Sequence, residues 1–182
     1  MQHVQIRPLS PSEIEAHRLD LGRIHAAAFS RDDAAGSRYA EISLPEMVAY
    51  PDFLATVAIA EEQIVGFSCG HAATPHLPWS DRVYRSLRDA GHDAWTRDPF
   101  EIADVAVDPA WQNRGIGRLL LDDLIDQITQ PRAILVTYHG DHPAKRFYLR
   151  AGWTVLVDDF FYVPDRPPTS ILGLDRHARM AN

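Results

Sequence analysis

The stretch richest in chemical possibility is Gln112-Asn113-Arg114-Gly115-Ile116-Gly117-Arg118, which follows Val105-Ala106-Val107-Asp108-Pro109. The earlier segment reads as the end of a strand, starting at Glu101. Ile116, Leu120, Leu124 and Ile128 then recur at helical spacing. A loop with two glycines therefore joins a strand to a helix amino terminus. Such a terminus presents unpaired N–H groups and partial positive charge, which suit an anion such as phosphate. Gly115 and Gly117 lack Cβ, so a ligand can approach the backbone closely. Arg114 and Arg118 bring positive charge to a chain that is otherwise acidic. Two other phosphate sites are excluded. A P-loop needs Gly-Lys-Ser/Thr, which is absent, and a dinucleotide fingerprint needs a third glycine where Leu120 stands. What remains is the spacing Gln112-x-x-Gly115-x-Gly117.

The histidines His71, His76, His92, His139 and His142 show no metal-ligand spacing, and no metal is expected. Cys69 reads as a buried strand residue rather than a nucleophile. No Ser/His/Asp or Cys/His set points to covalent catalysis.

These groups must be positioned by ordinary elements. Val4–Arg7 alternates as a short first strand. Ser10-Pro11-Ser12-Glu13 is a helix start, with Ser10 as N-cap, Pro11 at the first helical position and Glu13 closing a capping box. That helix runs to about Phe29. Residues 30–52 read as polar and irregular, with a short helix opening at Leu44-Pro45. Leu54–Ala60 and Ile64–His71 read as a hairpin across Glu61-Glu62-Gln63. Residues 72–99 form a long connection with a short helix near Val83, Leu87 and Ala90; such a length suggests a site-lining role. Trp79, Tyr84 and Trp95 lie in it, either as an acceptor wall or as packing. Ala133–Tyr138 reads as a strand parallel to Glu101–Val107. Pro143–Ala151 is a helix stopped by Gly152, and Trp153–Val157 and Ile171–Leu174 are late strands around a Pro-rich loop, Asp158–Ser170.

The chain has 182 residues and a formal net charge of −7, and 46% of its residues are hydrophobic. That suits one globular domain, 1–182, with its own core. One cysteine excludes an internal disulfide framework and suggests a reducing compartment, so a cytoplasmic location is expected. The longest apolar run, Leu54–Ala60, is far shorter than a membrane span, and Met1–Arg7 lacks the look of a secretory signal. The acidic balance argues against nucleic acid as a partner.

The spacing Gln112-x-x-Gly115-x-Gly117 after Val105-Ala106-Val107-Asp108-Pro109 resembles the acyl-CoA site of the GCN5-related N-acetyltransferase (GNAT) superfamily. Ile6-Arg7-Pro8, then Leu21-x-x-Ile24-His25-x-Ala27-Ala28-Phe29, is similar to that family's first strand and helix. Ile64-Val65-Gly66-Phe67 resembles its third strand, and Pro143-Ala144-x-x-Phe147-Tyr148-x-x-Ala151-Gly152-Trp153 its late helix and the strand after it. The resemblance implies an α/β (α+β) fold: a mixed, mostly antiparallel sheet of about six to seven strands flanked by helices, with a splayed parallel pair holding acyl-CoA. It implies acetyl transfer from acetyl-CoA to a primary amine, a small molecule being the favoured acceptor, by direct attack in a ternary complex; a monomer or homodimer is expected. The backbone of Val105, Ala106 and Val107 would pair with the pantetheine arm, as in strand addition. Gln112 to Gly117, with Arg118, would hold the pyrophosphate. Tyr148 would protonate the leaving thiolate. Ala144 and Asp141 sit where the family's late helix meets the donor. Asp141 replaces an asparagine; it cannot copy the amide's donor, but it can cap the helix.

The amine must lose a proton, and Glu101 and Asp104 occupy positions where family members place acids. In a regular strand the two face opposite sides, so only one should point at the acceptor unless a bulge intervenes. Two other readings stay open: a non-catalytic acyl-CoA sensor, and an enzyme that acetylates protein N-termini or lysines. Residues 30–52 and 72–99 match no shared pattern, which is expected of acceptor-binding segments.

Overall fold

The computed structural model describes residues 4–161 and 166–177. Seven strands form one sheet: β1 (Gln5–Pro8), β2 (Leu54–Ala60), β3 (Gln63–Ala72), β4 (Phe100–Val107), β5 (Arg132–Tyr138), β6 (Thr154–Phe160) and β7 (Thr169–Asp175), in the order β1-β2-β3-β4-β5-β7-β6. Pairs β1–β2, β2–β3, β5–β7 and β6–β7 are antiparallel, and β4–β5 is parallel. The chain falls into two compact units: Met1–His71 with Ile102–Ile128, and Ala72–Glu101 with Thr129–Asn182.

In the first unit, α1 (Pro11–Ala28) starts with the expected capping box. Ser10 accepts from the Glu13 backbone, and the Glu13 carboxylate accepts from the Ser10 N–H at 2.9 Å. The β2–β3 turn puts Glu61 and Glu62 at φ +51° and +62°. Positive φ at both turn residues matches the twist of a two-residue hairpin. Alternate residues of the strands face different partners, and a register shift at Ala58/Ile59 leaves Val65 of β3 as an extra residue that breaks the alternation before Phe67. Ala55, Val57, Phe67, Cys69 and Ala106 pack with Ile14, Leu21 and Ile24 of α1. Ala58, Ala60, Val65 and Val107 pack with Ile116 and Leu120 of α5 (Ile116–Gln127).

Residues 30–52 are more regular than expected, and the helix read at Leu44-Pro45 has company. They form α2 (Asp33–Arg38), a π-helical turn (Tyr39–Ser43) and α3 (Leu44–Val48). The Asp32 carboxylate caps α2 by accepting from the Ala35 N–H at 2.8 Å. Small residues then let α2 approach α1: a Cβ on Gly22 would lie 2.4 Å from the Gly36 carbonyl oxygen. Backbone-to-backbone packing of this kind leaves no apolar period to read. Tyr39, Ala40 and Leu44 complete the burial.

The second unit holds α4 (Pro78–Asp89), a 3₁₀ turn at Asp93–Thr96, Phe100 and Glu101 of β4, β5, α6 (Pro143–Arg150), β6 and β7. The parallel ladder consists of Phe100↔Ala133 and Glu101↔Ile134, where β4 is about to leave this unit. Val83, Tyr84 and Leu87 of α4 pack on Ile134, Phe160 and Ile171. Trp79 and Trp95 are packing residues here: Trp79 meets Phe160 edge-on at 6.4 Å, and a Cβ on Gly173 would lie 2.5 Å from the Trp95 ring. The late strands are longer than expected. β6 runs to Phe160 and β7 starts at Thr169, which narrows the Asp158–Ser170 loop; residues 162–165 lie outside the described ones. No helix among the described residues is long and apolar enough to cross a membrane.

Candidate active site

In the first unit the loop after β4 is tied down at several points. The Asp108 N–H donates to the Val65 carbonyl at 2.9 Å, and its carboxylate accepts from the Ala110 N–H and from Arg23 of α1, both at 3.0 Å. The Gln112 side chain donates to the Val107 carbonyl at 3.0 Å, which fastens the loop to the strand end. Asn113 has φ +59°, and Gly115, the N-cap of α5, has φ +81°. A Cβ on Gly115 would meet nothing within 4 Å, so conformation rather than space calls for glycine there. No side chain caps α5, and its first turn carries no acid. The Arg118 and Leu119 N–H groups donate to the Gly115 carbonyl, which leaves those of Ile116 and Gly117 to face an anion. Residues 112–115 are exposed, Gly117 is half-buried and Ile116 is buried beneath them. The arginines are more engaged than expected. Arg118 pairs with Asp122 at 2.6 Å, while Arg114 stacks over Trp111 at 4.7 Å and donates to the Ala110 carbonyl. Val105 is half-buried; Ala106 and Val107 are buried.

Asp104 belongs to a buried cluster of the same unit. The Tyr39 hydroxyl donates to its Oδ2 at 2.9 Å, and His25 Nε2 lies 3.5 Å from its Oδ1. The His25 and Tyr39 rings stack with centroids 3.9 Å apart. The Tyr39 hydroxyl is also 3.8 Å from the Cys69 sulfur. Burial, then the Asp104 charge, pushes both the Tyr39 phenol and the Cys69 thiol well above their ordinary values. Cys69 is therefore an inert thiol.

Glu101 lies in the second unit, 5% exposed. The Tyr84 and Ser80 hydroxyls of α4 both donate to its carboxylate, Ser80 at 3.2 Å, and the Thr74 hydroxyl is 2.8 Å from that of Ser80. Among the described residues no lysine, arginine or histidine forms an ion pair with it. Burial, then the Glu101 charge, drives the Tyr84 phenol far above its ordinary value, so Tyr84 stays a donor. The two acids are thus taken up by different partners: Asp104 by His25 and Tyr39, Glu101 by the hydroxyls of Tyr84 and Ser80.

Helix α6 carries Tyr148, half-buried, with its ring edge-on to Trp153 at 5.9 Å. Asp141 does not cap this helix. The N-cap is His142, whose Nδ1 accepts from the Ala144 N–H at 3.2 Å. Asp141 is exposed and pairs with Arg146 at 2.6 Å, because the arginine one turn inside the helix reaches back to it. Half-buried Ala144 leads to Lys145, which is buried and pairs with Asp158 of β6. Ser170 of β7 donates to the same carboxylate at 2.7 Å, and His139 Nδ1 lies 3.6 Å from it. The Lys145 and Ser170 hydrogen bonds hold the Asp158 carboxyl below its usual range. No cluster of three or more metal-ligating side chains occurs among the described residues.

The model of the acetyltransferase (GNAT) family matches residues 20–153, most of the chain, from within α1 to the residue before β6. The chain belongs to the GNAT family. Among curated relatives, a mycothiol acetyltransferase of Nocardioides sp. is 30% identical over 172 residues, covering 85% of this chain and 54% of the relative. A GCN5-like protein acetyltransferase of Mycobacterium tuberculosis is 24% identical over 144 residues, covering 73% of this chain and 70% of the relative. The chain thus spans about half the length of the first of these. Among solved structures, the PaiA N-acetyltransferase of Thermoplasma acidophilum in complex with coenzyme A superposes with a TM-score of 0.60, at 15% identity, over 95% of this chain and 99% of that one.

Within this GNAT chain, sequence reasoning missed His25 and Tyr39 as partners of Asp104, and Tyr84 and Ser80 as partners of Glu101. His25 and Tyr39 were separated from Asp104 by 79 and 65 positions, which no local spacing reveals. A usable signal existed for Tyr84: with Val83 and Leu87 it lies on the apolar side of a short helix, where a hydroxyl needs a partner.

Proposed function

We propose that this chain transfers the acetyl group of acetyl-CoA to a primary amine, by direct attack within a ternary complex. The observation that carries the reading is the uncapped start of α5, entered through Gly115 at φ +81° directly after strand β4. The loop fits a pyrophosphate: open space where a Cβ would be, no acid in the first helical turn and arginines at either side. Backbone N–H groups from Asn113 to Gly117 would hold it, with Arg114 and Arg118 adding charge, Gln112 fixing the loop and Ile116 anchoring its floor. The backbone of Val105, Ala106 and Val107 would orient the pantetheine arm, and Ala144 would adjoin it. Asp141, engaged by Arg146, is expected to contribute little. The bound donor supplies an activated acetyl thioester with a thiol leaving group.

The remaining chemistry falls to this chain's side chains. Glu101 or Asp104 takes a proton from the acceptor ammonium, directly or through one water. Tyr148 gives a proton to the leaving sulfur and regains one from the acylated nitrogen. A small-molecule acceptor is favoured by the identity to the mycothiol acetyltransferase, which exceeds that to the protein acetyltransferase. We place the activity in the cytoplasm on the reduced, buried Cys69. Calorimetric titration with acetyl-CoA is the test. Saturable binding near one equivalent supports the reading, and no heat at millimolar donor overturns it.

A further inference from the structure

Of the two acids on β4, Asp104 has a histidine beside it, and among the described residues the side chains that bond Glu101 are hydroxyls. A buried carboxylate without a cation is costly unless hydrogen bonds hold it, and it attracts any positive group that reaches it. Thr74, Ser80 and Tyr84 are each 2% exposed or less, so their hydroxyls have no competing water. Thr74 touches Ser80, Ser80 touches Glu101, and Tyr84 touches Glu101. Ser80 and Tyr84 come from one helix, four positions apart, so they share a face and close on the carboxylate together.

We infer that Tyr84 and Ser80 are positioning residues: their two hydroxyls fix the orientation of the Glu101 carboxylate for the proton transfer from an alkylammonium acceptor. This rests on the acetyl-transfer reading above. The proton passes from the acceptor nitrogen to a Glu101 carboxylate oxygen and then to solvent, which frees the nitrogen lone pair. The second proton of that nitrogen leaves after the new C–N bond forms and balances the one Tyr148 gives to the thiol. Tyr84 stays protonated throughout and touches neither substrate.

The test is a mutant cycle on the full chain: wild type, Y84F, E101Q and Y84F/E101Q. The probes are 1,4-diaminobutane, glucosamine and lysine amide, with kinetics measured on the best acetylated. Each variant is also titrated with acetyl-CoA and melted. We expect Y84F to lower kcat about tenfold, as for a lost hydrogen bond to a charged group, with donor affinity unchanged. In the E101Q background the same change should cost less than about twofold, because its target is gone. S80A and S80A/E101Q should repeat the pattern at about threefold, and they carry the test if Y84F does not fold. An unchanged kcat in both Y84F and S80A overturns the inference, and so do losses that multiply fully with E101Q. If wild type binds no acetyl-CoA or acetylates none of the probes, the catalytic reading falls and this inference with it, a failure visible before any variant is made.

Discussion

Tyr148, Glu101 and Asp104 were each singled out in the sequence by residue type and by the element expected to carry it, and they lie on α6 and β4. Their environments were not legible there. Tyr148→Phe keeps the ring that meets Trp153, so kcat should fall while acetyl-CoA affinity holds; a kcat equal to wild type would remove Tyr148 from the chemistry. Glu101→Gln should cost about a hundredfold or more in kcat if it takes the proton. Asp104→Asn should cost less, since an amide oxygen still accepts from Tyr39. Comparing the two rates decides between the acids. Alternation along β4 predicted opposite faces for them, and that parity argument had no way to name the partners. Those partners, Tyr39 and Tyr84, come from helices whose positions are set by tertiary packing.

Among elements, the legible ones announced themselves by caps and periodicity. The start of α1 was readable to the residue from Ser10, Pro11 and Glu13, and the hairpin from two acidic turn residues between β-branched runs. Helix α3 was announced by Leu44-Pro45, but α2 was not, because Gly22 and Gly36 hold it by closeness rather than by an apolar stripe. Gly22→Ala should therefore destabilise the chain by about 1–3 kcal/mol, as overpacking does, and thermal melting will show it. Gly115→Ala tests a different quantity. Its Cβ has room, so its cost of about 1 kcal/mol is backbone strain alone. It should also weaken acetyl-CoA binding, because relief of that strain rotates the N–H groups at the start of α5. Unaltered affinity in that variant would separate the loop from the donor.

For the whole molecule, folding stability should form a plateau in pH with two sloping ends. Glu13 is held down to about 2 from an ordinary 4.5 by the Ser10 backbone and side chain, and Asp158 lies below 3.8. Groups lowered in the fold stabilise it above their unfolded values, and that contribution is lost as pH falls through the folded ones. Cys69, Tyr39 and Tyr84 are raised above 9.0, 10.0 and 10.0. Their contribution is complete below those values and drains away as the unfolded chain ionises at higher pH. Urea midpoints should be highest near neutrality and lower at pH 3 and pH 10; an equal midpoint at pH 10 would contradict the burial of these groups. Lys145 adds a consequence of another kind. It is the only lysine among 18 basic residues, and it is shut between α6, β6 and β7. The chain thus offers no lysine on its surface to the amine-acylating thioester proposed as its donor, and arginine carries nearly all the positive charge. A lysine-specific protease likewise finds one cleavage point, inside the fold, and must wait for α6 to lift away. Its cutting rate becomes a clock for the local opening of the helix that bears Tyr148.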